Sequence, residues 1–427
     1  GCAPNNKPNE KAFINMLARL KSTAREYPRN FWILIGSLFI DRLGGALIFP
    51  FFSLYVTEKF GVGMTQVGTL FAFYAVSSFI GSLIGGALTD RFGRRALMIF
   101  GLISSAFSAL IMGLSKDFHT FFVFSVIVGA FADMGHPAGQ AMLTDILPEP
   151  KRIEGFGILR VVANLAVTIG PAIGGLIASK SFFALFIIDA VASTITAFIV
   201  FLTMPETKPQ KHADQPHESI FQTFKGYSVA IKDGIFMAFL SVSAISVIVY
   251  MQMNTTLSVY LRDVHQITTQ QFGYILSLNA AMVVVFQFWV TRKISKYAPM
   301  ALMTFGTLFY LVGFTMYGFT TTYPLFLFAM VIITIGEMIV SPTSTALVAR
   351  LAPLDMRGRY MAVSGFSWII PSAIGPLLAG FIMDNYDPRW LWYLCGILAA
   401  ISTLGFLLLS RSASKRLQHE DGQNISE

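Results

Sequence analysis

Three carboxylic acids stand deep inside long apolar runs of this chain: Asp41, Asp133 and Glu337. A carboxylate in hydrocarbon costs several kcal/mol, roughly, unless it is paired, neutralised or facing water, so each is a candidate for work that needs a proton or a cation. Asp133 does not stand alone. With His136, Gln140 and Thr144 it recurs at intervals of three and four, the spacing that builds one polar stripe along a helix. Glu337, Ser341 and Ser344 make a shorter stripe, and Arg160 with Asn164 makes another. Desolvation favours the protonated form of a buried carboxyl, the property a proton carrier needs. Glu337 has no basic residue nearby in its half of the sequence and is the first candidate; Asp41 is the second. Arg42 adjoins Asp41, but adjacent helical residues point about 100° apart and need not neutralise each other. Arg160 is placed to neutralise Asp133, which leaves a static ion pair as the alternative to a titrating acid. His136 suits a proton relay or a hydrogen-bonded structural role. Asp189 is read as bonding within the packing.

The elements that position these residues follow from composition. Hydrophobic residues make up 54% of the 427 positions and charged residues 13%, with 40 phenylalanines, a balance that excludes a water-soluble globular surface. Apolar runs of about 20 residues, enough to cross roughly 30 Å as helix, recur throughout. They predict an all-α integral membrane protein with twelve spans: 31–56, 66–88, 96–114, 119–147, 154–179, 182–203, 235–261, 268–290, 299–319, 323–349, 359–382 and 389–410. Basic residues number 24 in the loops and tails on the N-terminal side and five on the other, with Arg42 and Arg160 inside spans. That asymmetry predicts cytoplasmic termini in a multi-pass cell-membrane protein and explains the net charge of +8 without nucleic acid.

Shifted by 205 positions, the sequence matches itself in phase. Pro137 falls on Pro342, Gly170-Pro171 on Gly375-Pro376, Gly175 on Gly380, and Gly68 on Gly273. Such an internal repeat is a feature of secondary transporters, whose substrate site lies where the halves meet. The expected organisation is a cytoplasmic segment (1–30), an N-terminal six-helix bundle (31–204), a polar linker (205–234), a C-terminal six-helix bundle (235–411) and a cytoplasmic tail (412–427). Residues 13–20 place Phe13, Leu17 and Leu20 on one face, which suits a membrane surface or a solvated flank. Cys2 and Cys395 are not expected to pair.

Between the second and third runs lies Gly86-Ala-Leu-Thr-Asp90-Arg91-Phe-Gly93-Arg94-Arg95. It resembles the G-x-x-x-D-R-x-G-R-R signature of the major facilitator superfamily at every defining position. The glycines suit close packing and a tight turn, and the arginines suit the interface. Asp90 is placed to meet the N-terminus of a helix from the other half, where unpaired N–H groups favour an anion. The resemblance implies span 11 as that helix, a latch when the outside is open, and a pairing of Arg94 with an acid ending span 4, which Asp145 fits; a purely topological role for the arginines is the alternative. It also implies a central cavity lined by spans 1, 4, 7 and 10. Gly170-Pro171-Ala-Ile-Gly174-Gly175 resembles the motif of the antiporter branch, with Ala166 where the first glycine is expected; helix packing is the plainer explanation. Gly44 and Pro50 resemble part of a drug-exporter pattern.

Tyr250, Asn254, Asn279, Gln287, Ser341, Asn164 and Trp368 are the expected remaining cavity wall, a mixture suited to amphipathic ligands, with cations favoured by the acids. The resulting expectation is a proton-coupled exporter of amphipathic compounds, with small molecules, protons and lipids as partners, no cofactor and a monomeric chain. A lipid or glycolipid translocase, a sugar or metabolite uptake carrier, and a non-transporting receptor are the rivals. A metal-dependent membrane enzyme is disfavoured, because five of the six histidines lie in loops, tails or span edges and no Cys/His cluster occurs.

Overall fold

The computed structural model describes residues 26–207, 228–353 and 356–423, leaving aside the side chains of residues 90, 128, 150, 153, 357–359, 362 and 411–423. The surface helix expected over 13–20 lies outside the described residues, as does most of the linker. Among the described residues the regular structure is helical throughout, with no strand. In hydrocarbon this is the expected outcome, since a helix satisfies its backbone groups within itself.

Twelve helices are long and apolar enough to cross a membrane: spans 1 to 6 are Arg29–Phe60, Met64–Thr89, Arg94–Leu114, Phe118–Ile146, Glu154–Ala178 and Phe182–Thr203, and spans 7 to 12 are Gly234–Thr255, Thr269–Ile294, Pro299–Phe319, Tyr323–Leu351, Phe366–Asn385 and Arg389–Ser410. Two differ from the sequence-based bounds by more than about four residues at one end. Span 7 stops at Thr255, because Thr256 leaves the helical path (φ −121°, ψ −28°), and a short helix, Leu257–His265, follows. Span 11 begins at Phe366, beyond a break at Gly365 that separates it from the helix Arg357–Ser364.

Prolines place further irregularities near the acids. The ring of Pro50 sits in a 3₁₀ turn, Phe49–Phe51, that interrupts span 1. Pro137 has no N–H to offer the carbonyl of Asp133, and span 4 breaks there: one helix ends at Asp133 and the next starts at Gly135.

The basic loops collect on one side of the bundle, here the basic face; the other is the far face. Spans 1–6 and 7–12 meet chiefly through span 2 against span 11 and span 5 against span 8. One apolar cluster is shared by both sets, joining Phe51, Leu54, Met64 and Val67 to Phe239, Val249, Tyr260 and Phe272. A second, containing Phe31, Leu34, Leu97, Met142 and Val200, belongs to spans 1–6 alone and lies toward the basic face. The glycines of the 205-residue echo make the joint. A Cβ on Gly175 would stand 2.6 Å from the Cα of Gly273, one on Gly380 2.1 Å from the Met64 oxygen, and one on Gly68 2.4 Å from the Pro376 oxygen. Real Cβ atoms do not come so close, so these positions let the two sets touch backbone to backbone at the far face.

Candidate functional site

Glu337 sits partway along span 10, half-buried among side chains from four other helices. Tyr250 of span 7 donates its hydroxyl to one carboxylate oxygen (2.9 Å), and Asn279 of span 8 donates to the other (2.8 Å) while also reaching the Thr334 hydroxyl at 2.9 Å. No ion pair to Glu337 occurs among the described residues. Aromatic rings close the surroundings: Tyr250 meets Trp368 edge-on at 6.3 Å and Tyr310 at 6.0 Å. Two residues expected to line a cavity, Tyr250 and Asn279, therefore hold the acid itself.

Gln287 does something different from the lining role its position suggested. Pro342, inside span 10, cannot bond the carbonyl of Met338 four residues earlier. Gln287 Nε2 donates to that carbonyl at 3.1 Å and to the Thr291 hydroxyl at 2.8 Å. Span 8 thus grips the turn carrying Glu337 twice, at its carboxyl through Asn279 and at its backbone through Gln287.

In the other half, Asp133 occupies the break in span 4 and accepts the hydroxyl of Ser78 from span 2. Arg42 of span 1 stands close enough to interact electrostatically with Asp133 and His136. The partner expected for Asp133 was Arg160, but Arg160 extends across to span 10 and donates to the Thr345 hydroxyl, crossing between the halves. His136 is exposed and has no hydrogen bond among the described residues, which removes the support for a hydrogen-bonded structural histidine. Gln140 is also exposed, Thr144 bonds the Gln140 carbonyl (3.0 Å), and Arg152 caps the end of span 4 through the Thr144 and Leu147 carbonyls. Asn164, Asn254 and Ser341 show no side-chain hydrogen bond among the described residues, and Ser341 and Asn164 are exposed.

Asp41 is directed within its own half: it accepts the Ser193 hydroxyl of span 6 at 2.7 Å, and Ser193 in turn lies 3.5 Å from the Ser105 hydroxyl of span 3. One turn further along, a Cβ on Gly44 would come within 2.6 Å of Asp189. Asp41 thereby belongs to a polar seam between spans 1, 3 and 6, away from Glu337. Among the described residues no three His, Cys, Asp or Glu side chains converge as metal ligands.

The turn after span 2 is locked by a residue that sequence spacing did not mark. Glu206, beyond span 6, accepts the backbone N–H of Arg94 (2.7 Å) and Arg95 (3.2 Å), capping span 3 with a carboxylate. Gly93 is required twice, by its φ of +101° and because a Cβ there would meet the Glu206 carboxylate at 2.4 Å. Arg94 pairs with Asp145 at 3.0 Å, and Thr207 donates to the same carboxylate oxygen. Arg95 reaches the Phe201 carbonyl and lies over the Phe201 ring, and Arg91 lies over Phe92. The close packing assigned to Gly86 belongs to its neighbour: a Cβ on Gly86 meets nothing within 4 Å, whereas one on Gly85 would stand 2.3 Å from the Met134 oxygen. The Asp90 side chain lies outside the described residues. In span 5, Gly170 and Gly174 admit Ala46 and Leu47 of span 1, and Gly175 admits span 8, all contacts of packing. Pro171 lies inside the same helix.

The family model of the Major Facilitator Superfamily matches residues 34–370 and 301–425. A Na(+), Li(+), K(+)/H(+) antiporter of Planococcus maritimus is 24% identical over 90% of this chain and 96% of its own. The MFS-type transporter YttB of Bacillus subtilis is 28% identical over 93% and 100%. The quinolone resistance protein NorA of Staphylococcus aureus is 22% identical over 92% and 99%. Among solved structures, the nucleoside transporter NupG superposes with a TM-score of 0.73 at 12% identity, covering 89% of this chain and 99% of that one. A bacterial homologue of the human lysosomal transporter Spinster gives 0.72 at 14%, covering 90% and 97%.

Proposed function

Because the chain belongs to the major facilitator superfamily, we propose that it is a proton-coupled exporter of amphipathic cations that works by alternating access, with Glu337 as the coupling residue. The observation that carries this reading is Glu337 itself: a carboxyl at membrane depth, reachable, bonded only to neutral donors, and ringed by Tyr250, Tyr310 and Trp368. Without a fixed cation beside it, such a group can hold either a proton or a positively charged ligand, and exchange between the two is antiport. Flat aromatic faces next to a carboxylate favour an organic cation through ring and charge contacts together.

In this reading the basic face is cytoplasmic. The glycine joint holds the far face closed, while the basic side of spans 1–6 has its own core. The cavity then receives substrate from the cytoplasm onto ionised Glu337. After the halves rock, protonation of Glu337 from outside releases the substrate, and the protonated carrier returns. Asp133, beside Arg42 and Ser78, contributes field and orientation to the cavity.

Exchange of an alkali cation for protons, the activity of the Planococcus maritimus relative, is the second reading. A small hard cation prefers several oxygen ligands and gains little from the three aromatic side chains. Inverted membrane vesicles separate the two. A fluorescent lipophilic cation that accumulates only under an imposed proton gradient, and is released when the gradient is collapsed, supports the proposal. Gradient-driven Na⁺ or K⁺ flux without organic-cation flux overturns it in favour of the second reading, and the absence of either flux overturns both.

A further inference from the structure

At the far face a charge-assisted contact that no motif marks joins the halves. Asp384, near the end of span 11, accepts the backbone N–H of Met64 at 2.9 Å and of Thr65 at 2.7 Å, one on each carboxylate oxygen. Both N–H groups belong to the first turn of span 2, which has no partner for them within its own helix. The Gln66 side chain takes the preceding N–H, that of Gly63, at 2.9 Å. The approach is tight enough that a Cβ on Gly63 would stand 2.5 Å from Asp384 Oδ2. Directly behind it lie the contacts of Gly380 with Met64 and of Gly68 with Pro376. A carboxylate aimed at the positive end of a helix dipole, with two charge-assisted hydrogen bonds, is an electrostatic clasp placed over a backbone joint.

We propose that Asp384 is a gating residue of the transport cycle, a clasp that holds span 11 to span 2 while the far face is closed and lets go when it opens. The inference rests on the alternating-access reading. The clasp is single. Counting back 205 positions, the counterpart of Asp384 is Ser179, whose hydroxyl is spent on the Leu176 carbonyl in its own helix. The pseudo-equivalent joint between spans 5 and 8 therefore has close glycines but no carboxylate. Asp384 is exposed, so water and salt can reach the clasp and it can open without stranding a buried charge.

The test uses the full chain in lipid nanodiscs with spin labels at Lys116→Cys and Thr321→Cys, two exposed far-face loop positions in opposite halves, after removal of Cys2 and Cys395. Pulsed electron resonance reads the distance between them. Asp384→Asn, which keeps the size but loses the charge, is expected to raise the long-distance population roughly three- to thirtyfold relative to the parent. Asp384→Glu is expected to restore most of the short distance, and high salt to shift the parent in the same direction as Asp384→Asn. Gly380→Leu serves as the control, since its side chain must force the backbone joint apart. If Gly380→Leu lengthens the distance and Asp384→Asn leaves it unchanged, the clasp is refuted while alternating access stands. If neither variant changes the distance at any salt concentration, the alternating-access reading fails with it.

Discussion

The bond from Gln287 to the Met338 carbonyl predicts a rescue that ordinary packing would not produce. Gln287→Leu keeps the side chain close in size and removes the donor, leaving in span 10 a carbonyl that Pro342 cannot satisfy. An orphaned carbonyl costs about 1–3 kcal/mol in a buried site, whereas double-mutant cycles between membrane helices average about 0.6 and reach about 1.7 kcal/mol. The Met338 carbonyl is enclosed at a helix contact, so the expected penalty is about 1–2 kcal/mol, toward the upper part of the second range. In a Pro342→Ala background the new N–H bonds the carbonyl along its own helix, and Gln287→Leu should then cost less than about 0.5 kcal/mol. The difference between those two penalties is the coupling energy. It can be read from reversible unfolding in mixed micelles. Transport provides the second readout: Gln287→Leu should weaken proton coupling more than it weakens substrate binding, because span 8 places the turn that carries Glu337. Equal penalties in the parent and in the Pro342→Ala background would mean that Gln287 acts through packing and not through the Met338 carbonyl.

Asp145→Asn removes the carboxylate partner of the buried Arg94 and should lower stability by about 1–3 kcal/mol, with Arg94→Ala adding little further loss in the double variant; thermal unfolding of the three variants checks it. Glu206→Gln should free the N-terminus of span 3, by about 0.3–1 kcal/mol of charge–dipole interaction, and raise amide exchange at Arg94 and Arg95. Outside the spans, burial and then the Arg389 charge hold His265 below its ordinary range, so its folded form prefers to be neutral. The unfolded chain then binds the proton more readily, and the His265 contribution is full above the ordinary histidine range and lost as pH falls through it toward the folded value. Melting temperature should fall between about pH 7 and pH 5 less steeply in His265→Asn than in the parent; identical slopes would remove His265 from the account.

Span existence was readable because hydrocarbon imposes a length and a composition that few other constraints disturb. The breaks were harder to place: Pro137 and Pro342 are both visible as letters, yet one follows a break after Asp133 and the other sits inside a continuous span 10, where Gln287 bonds the carbonyl that the proline leaves free. The three intramembrane acids could be named from their apolar flanks, but their surroundings could not. Asp41 turned toward Ser193 in its own half, and Arg160 crossed to Thr345 instead of meeting Asp133. Side-chain direction on a helix is set by rotation about its axis, and a rotation of one residue, about 100°, exchanges one set of neighbours for another. The same step separates Gly86, with open space, from Gly85, with a backbone against it. Glu206 and Asp384 escaped notice because their work is done on backbone N–H groups of distant helices, which leave no pattern in residue type. The echo of 205 positions did mark the joint, since Gly68, Gly175, Gly273 and Gly380 are residues at which the two sets touch backbone to backbone.

On the proposed mechanism, Glu337 carries the proton that export consumes. Purified protein in inverted vesicles, loaded with a pH-sensitive dye and given a lipophilic cation, reports proton release and cation accumulation together. The parent should show both, each dependent on the other. Glu337→Gln, which keeps a similar side-chain size beside Tyr250 and Asn279 but cannot ionise, should bind the cation weakly and show neither proton release nor gradient-driven accumulation, while Asp41→Asn should retain both. Full proton-driven accumulation by Glu337→Gln would mean that another group carries the proton.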